Sequence, residues 1–65
     1  MAKYDNINVD LIGQDGNAFA ILGAVTKAMR RAGLSQEERD LYTKEATSGD
    51  YNHLIATTMD WVEVN

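Results

Sequence analysis

His53 and Asp50 are the residues whose types and spacing come closest to a chemical site. His53 is the only histidine of the chain, and Asp50 precedes it by three residues, a spacing at which two side chains on a helix can face one another. A metal site would need further ligands, for example Asp10 or Glu45, and the sequence does not specify them. Since Asp50 is also placed to cap a helix, we expect both residues to serve the structure, with no metal and no catalysis.

The segment Asp15-Gly16-Asn17 contains residues that calcium loops also use. A complete loop needs several more ligands and a closing glutamate, and these are missing at the required spacing. Gly13 and Gly16 precede a predicted helix, whose free amides could bind an anion. However, Asp15 would repel a phosphate, and the chain has neither a P-loop lysine nor a dinucleotide glycine pattern. We therefore predict a turn and a helix cap here, and we expect no cofactor.

The composition excludes several classes of function. The 65 residues include no cysteine, ten acidic and six basic residues, and the net charge is −4. Without cysteine there are no disulfides, thiolate metal sites or cysteine nucleophiles. Nucleic-acid binders usually present a basic face, whereas the only basic cluster here is Lys27, Arg30 and Arg31. Because that cluster ends a predicted helix, it suits the helix dipole, and we expect no specific nucleic-acid binding.

The longest nonpolar run, from Ala18 to Val25, is far shorter than the ~20 residues of a membrane span. The first residues also lack the basic and apolar segments of a signal peptide. These patterns predict a cytoplasmic protein without membrane association.

Hydrophobic periodicity predicts a single domain over residues 1–65 with the order β-α-α-α-β. Ile7, Val9 and Leu11 alternate with polar residues and indicate a half-buried strand. A second, shorter alternation over Trp61–Val64 predicts another strand at the end of the chain. Because unpaired strands would leave backbone groups unsatisfied, we expect the two strands to pair. The fold class is therefore α+β, with a short sheet covered by three helices.

Capping residues and a glycine stop predict three helices in the middle of the chain. The first helix should run from about Asn17 to Ala32, with Asp15 or Asn17 as its cap and Gly33 as a left-handed stop. Ser35 and Glu38 form a capping box for the second helix, and Asp50 caps the third. The predicted inward positions are Ala18, Ile21, Leu22, Val25, Met29 and Ala32 in the first helix, Leu41, Tyr42 and Ala46 in the second, and Tyr51, Leu54, Ile55 and Thr58, with Met59 nearby, in the third.

The first helix also has a side of small residues, formed by Ala20, Gly23 and Ala24. A glycine inside a helix costs up to about 1 kcal/mol relative to alanine, so Gly23 indicates that another backbone approaches closely. That backbone belongs either to the same chain or to a second copy in a two-fold dimer, and we favour the homodimer. Trp61 joins these residues as a candidate interface anchor, although its strand register equally allows a place in the core.

Three segments together resemble a family of short uncharacterised proteins from bacteria and their phages. They are Leu11–Phe19 (LIGQDGNAF), Glu45–Leu54 (EATSGDYNHL) and Trp61–Val64 (WVEV), and the similarity covers nearly the whole chain from about Val9 onward. The resemblance implies a phage or mobile-element origin, with the host cytoplasm as the place of action. It implies no particular activity, ligand or catalytic residue.

These features favour a non-enzymatic protein–protein interaction factor, such as a phage accessory protein or inhibitor. The alternative is a dimeric nucleic-acid-binding protein of the ribbon-helix-helix type, because a strand followed by two helices opens the chain. In that class the outward strand residues read the DNA major groove. Here they would be Asn6, Asn8 and Asp10, and the aspartate faces phosphates unfavourably.

Overall fold

The computed structural model describes residues 2–10 and 17–64. Their elements are β1 (Tyr4–Val9), α1 (Ala18–Arg31), α2 (Gln36–Ala46), α3 (Tyr51–Trp61) and β2 (Val62–Val64), which confirms the predicted order and the α+β class. The sequence predicts Trp61 in the last strand, but Trp61 is the final residue of α3, so β2 begins one residue later than predicted. Leu11 and the predicted turn with Gly13, Asp15 and Gly16 lie outside the described residues.

The two strands pair in parallel and form a two-stranded sheet. Asn8 lies beside Glu63 and Val9 beside Val64, with an irregularity in the register between Tyr4 and Asn8. Ile7, Val9 and Val62 are buried on one face, whereas Asn6, Asn8 and Glu63 are exposed on the other. The parallel direction requires a long connection between the strands, and the three helices together provide it.

Each predicted helix cap is present. The side chain of Asn17 accepts a hydrogen bond from the Ala20 amide, and Asp50 accepts one from the His53 amide. Ser35 Oγ accepts from the Glu38 amide at 3.2 Å. Only this half of the capping box forms, because the Glu38 carboxylate accepts from the Tyr4 hydroxyl instead.

Gly33, which follows the Ala32 cap of α1, has left-handed backbone geometry. Its φ is +91°, a conformation that side chains with a Cβ rarely adopt. The sequence prediction of a glycine stop at this position is confirmed.

The core lies between the sheet and the three helices. It contains Ile21, Val25 and Met29 of α1, Tyr42 and Ala46 of α2, Leu54 and Trp61 of α3, and Ile7, Val9 and Val62 of the strands. The Tyr42 hydroxyl lies 2.6 Å from Thr58 Oγ1, which itself donates to the Leu54 carbonyl. Tyr42 therefore donates to Thr58, and both buried hydroxyls are satisfied. Burial of Tyr42 raises the pKa of its phenol above the usual value.

Several predicted inward positions are exposed. Leu41 is 51% and Met59 58% exposed, and Tyr51 is also largely open to solvent. In α2 the inward positions are Tyr42 and Ala46, four residues apart, and Leu41 lies about 100° away around the helix. Ala32 caps the end of α1 and is likewise exposed.

We expect each of the two helix caps to contribute measurably to the free energy of unfolding. Changing Ser35 or Asp50 to alanine should lower the free energy of unfolding by about 1 kcal/mol, because the Glu38 or His53 amide then loses its acceptor. The midpoint of urea unfolding provides the measurement. Ser35→Thr and Asp50→Asn keep an acceptor oxygen and serve as controls that should change little. Unchanged midpoints in both alanine variants would contradict the assignment of these caps.

Candidate protein-binding surface

The ring of His53 forms hydrogen bonds with residues at the end of α2, and it is not directed towards Asp50. Its Nε2 lies 2.9 Å from the carbonyl oxygen of Glu45 and 3.1 Å from Ser48 Oγ. Because a carbonyl oxygen only accepts, Nε2 carries a proton and donates to Glu45. The Asp50 side chain contacts the His53 backbone amide. The pair therefore ties the last turn of α2 to the first turn of α3.

Gly49 leaves the space that the His53 ring occupies. A Cβ at position 49 would lie 2.8 Å from Cγ of His53, which is too close for two carbon atoms. The carboxylates of Asp10 and Glu45, the example ligands for a metal site, are not grouped with His53, and Glu45 contacts the ring through its backbone carbonyl. Within residues 2–10 and 17–64 no three or more histidine, aspartate or glutamate side chains are grouped closely enough to hold a metal ion.

Trp61 lies in the core rather than on the surface, with 6% of its area exposed. Its ring centroid is 5.8 Å from that of Tyr42, in an edge-on arrangement, and 6.0 Å from that of Tyr4. The ammonium group of Lys3 lies 4.4 Å from the indole centroid, within range of a cation–π interaction. Of the two places that the sequence left open, Trp61 therefore takes the one in the core.

Tyr4 connects β1 to α2 through a contact that sequence reasoning did not find. Its hydroxyl donates to the carboxylate of Glu38, 34 positions away in the chain, and Lys3 Nζ lies 4.0 Å from the same carboxylate oxygen. The hydrogen bond with Glu38 is the main cause that raises the pKa of Tyr4. Such long-range polar pairs leave no periodic signal in a sequence.

The small-residue side of α1 is partly buried and partly open. Ala20 and Ala24 are half-buried, and Ala24 packs against the core. Gly23 is exposed, and a Cβ added to it would meet nothing within 4 Å. Neither α3 nor the described strands therefore account for the glycine at this position. Close approach by a second copy remains a prediction.

A groove of about 410 Å³ runs between β1 and α1. One wall is formed by residues 6–10, and the other by Ala24, Lys27, Ala28, Arg31 and Ala32. The three alanines recur every fourth residue, so they lie along one side of α1. Their short side chains leave room beside the strand.

The groove is lined by residues of β1 and α1 and by none of β2. In the described part of the chain β1 has one neighbouring strand, β2, so within residues 2–10 and 17–64 its second edge carries no strand; we call this the open edge of β1. Lys27 and Arg31 are exposed and bring positive charge to this edge of an otherwise acidic chain. We name the "edge surface" the open edge of β1 together with Ala24, Lys27, Ala28 and Arg31 of α1, which line the groove.

Comparisons of the chain with protein-family models, curated proteins and solved structures give no match. A function can therefore be inferred only from the residues of the chain itself. Among the helices that the structure describes, none has the length and apolar character needed to cross a membrane.

Two glycine substitutions should separate an open position from a crowded one. We expect Gly23→Ala to stabilise the monomeric chain by up to about 1 kcal/mol, because alanine is the better helix former and its methyl group enters open space. Gly49→Ala is the matched control and should destabilise the chain, because its Cβ would meet the His53 ring. Urea unfolding at low micromolar concentration measures both. A loss of stability in Gly23→Ala would show that part of the same chain contacts this position.

Proposed function

We propose that this chain is a small, non-enzymatic protein–protein interaction factor that binds its partner, a different protein or a second copy, through the edge surface. The resemblance to short bacterial and phage proteins extends the proposal to a phage-encoded accessory protein or inhibitor. Its place of action would then be the host cytoplasm.

The observation that carries the proposal is the open edge of β1 beside an accessible groove. The backbone N–H and C=O groups along a free strand edge can pair with a strand from another chain. Proteins use this mode to bind extended segments, with neighbouring pockets selecting the side chains. Here β1 offers six residues, and the alanine side of α1 leaves space for the side chains of an added strand.

The contacts of four polar residues support a binding role over a catalytic one. The ring of His53 is engaged by Glu45 and Ser48, and the side chain of Asp50 caps α3. Both hydroxyls of the buried pair Tyr42 and Thr58 are satisfied within the core. Stabilisation of the fold therefore accounts for the presence of each of these four residues.

The ribbon-helix-helix alternative has less support. In that class the exposed face of a two-chain ribbon enters the major groove of DNA. The corresponding face here presents Asn6 and Asn8, whose amides could bind bases, together with Glu63 and Asp10, all exposed. Two carboxylates on this face would oppose the phosphates, whose neutralisation supplies much of the affinity for DNA.

A pair of matched lysine variants tests the proposed function. Lys27 belongs to the edge surface, whereas Lys44 is an exposed residue of α2 outside it. We expect the tagged native chain and Lys44→Glu to capture the same protein from a bacterial cytoplasmic extract. Lys27→Glu should lose it, because the substitution reverses a charge at the edge of the groove. Mass spectrometry identifies the captured protein, and calorimetry with purified partners checks that binding is direct.

Equal capture by all three forms would contradict the assignment of the edge surface. Binding at nanomolar concentration to a defined DNA duplex at physiological salt would instead favour the ribbon-helix-helix alternative.

A further inference from the structure

A second groove, of about 520 Å³, is lined by residues of α1 and α2 alone. The lining residues are Thr26, Arg30, Gln36, Arg39, Asp40 and Thr43. Within each helix they recur every three or four positions, so each helix presents one polar side to the groove. None of them lines the groove beside β1. We propose that Arg30 and Arg39 bind a phosphate group here, either as free phosphate or as the monoester of a small molecule.

The guanidinium groups of these two arginines have no carboxylate partner in the described part of the chain. Within residues 2–10 and 17–64 Arg30 has neither an ion pair nor a side-chain hydrogen bond. Arg39 makes one side-chain bond, from its Nε to the Ser35 carbonyl oxygen at 3.4 Å. Although Arg39 is half-buried, the donors of its terminal nitrogens are therefore available to a ligand. Two such groups in one groove can hold one anion together.

The charge and shape of these donors favour phosphate over carboxylate. A phosphate monoester carries a charge of about −1.5 to −2 at neutral pH, which two guanidinium groups match, whereas a carboxylate carries a single charge. A guanidinium group also binds phosphate oxygens through two parallel N–H···O bonds. The exposed side chain of Gln36 lines the same groove, and its amide group can donate to a further oxygen.

The other lining residues limit what the groove accepts. The hydroxyls of Thr26 and Thr43 donate to the carbonyl oxygens of Leu22 and Arg39 in their own helices, so they do not donate to a ligand. Asp40 is exposed, and with two arginines and one aspartate the lining has a net charge of +1. Its carboxylate opposes further phosphates. We therefore expect one phosphate group rather than a nucleic-acid backbone.

The structure divides the basic cluster that the sequence shows at the end of α1. Lys27 and Arg31 line the groove beside β1, whereas Arg30 lines the second groove together with Arg39 of the next helix. Arg30 and Arg31 are both exposed residues of the last turn of α1, so they complement the helix dipole equally. Arg31 is therefore a control of equal charge for Arg30.

Phosphate binding by variants of equal charge tests the proposal. The isotopically labelled full chain is titrated with sodium phosphate and, separately, with glycerol phosphate at constant ionic strength. The amide NMR signals around Arg30, Gln36 and Arg39 should shift saturably, with a dissociation constant in the millimolar range or lower. Arg30→Gln and Arg39→Gln should each weaken binding by about fivefold or more, as expected for the loss of one charge pair. Arg31→Gln should leave binding unchanged.

Three controls separate a phosphate site from general electrostatic attraction. Asp40→Asn should strengthen phosphate binding, because it removes the negative charge of the lining. Acetate at the same ionic strength should cause no saturable shift. Circular dichroism and urea unfolding check that each variant is folded. Arg39→Lys keeps the charge without the paired donors and should also weaken binding, so the test holds even if Arg39→Gln does not fold.

The absence of a saturable shift with both phosphate compounds would overturn the proposal. Equal weakening by Arg30→Gln and Arg31→Gln, or equal binding of acetate, would overturn it as well, because either result shows attraction to the basic end of α1 in general. The edge surface contains neither Arg30 nor Arg39. Loss of protein capture in Lys27→Glu and loss of phosphate binding in Arg39→Gln are therefore independent results, and either proposal can fail alone.

Discussion

The parallel pairing of β1 with β2 is the interaction on which the rest of the structure depends. It joins the first and last elements of the chain and therefore requires the three helices to form one long connection over a single face of the sheet. The buried strand residues Ile7, Val9 and Val62 give the helices a common surface to cover. Trp61, directly before β2, fills the space beneath Tyr4 and Tyr42. The Tyr4 contact with Glu38 then fastens β1 to α2.

The same pairing creates the surface to which we assign function. A sheet of two strands has two edges, and the packing of α1 against β1 leaves a groove beside one of them. A small domain of this size has a thin stability margin, so a strand added at this edge would stabilise the fold as well as bind.

The order of elements could be predicted from the sequence because periodicity and capping are local signals. Ile7 and Val9 indicate a strand through their two-residue spacing. Ser35 and Asp50 each cap the helix that directly follows them. The direction of strand pairing, the burial of Trp61 and the Tyr4–Glu38 contact depend on packing between distant segments, which periodicity does not report. Gly23 and Ala24 could be selected from the sequence because small residues stand out within a predicted helix. The groove, with its lining residues Ala28 and Arg31, depends on how α1 packs against β1.

Amide hydrogen exchange along β1 tests the central claim, a two-stranded sheet with one open edge, most directly. Alternate residues of a parallel strand direct their amides to opposite edges, and amides paired in a sheet exchange slowly. Within Tyr4–Val9 the amides that pair with β2 should be protected and should exchange only through global unfolding. The amides directed to the other edge should exchange fast. Rapid exchange of every β1 amide would contradict the pairing with β2 and the account built on it.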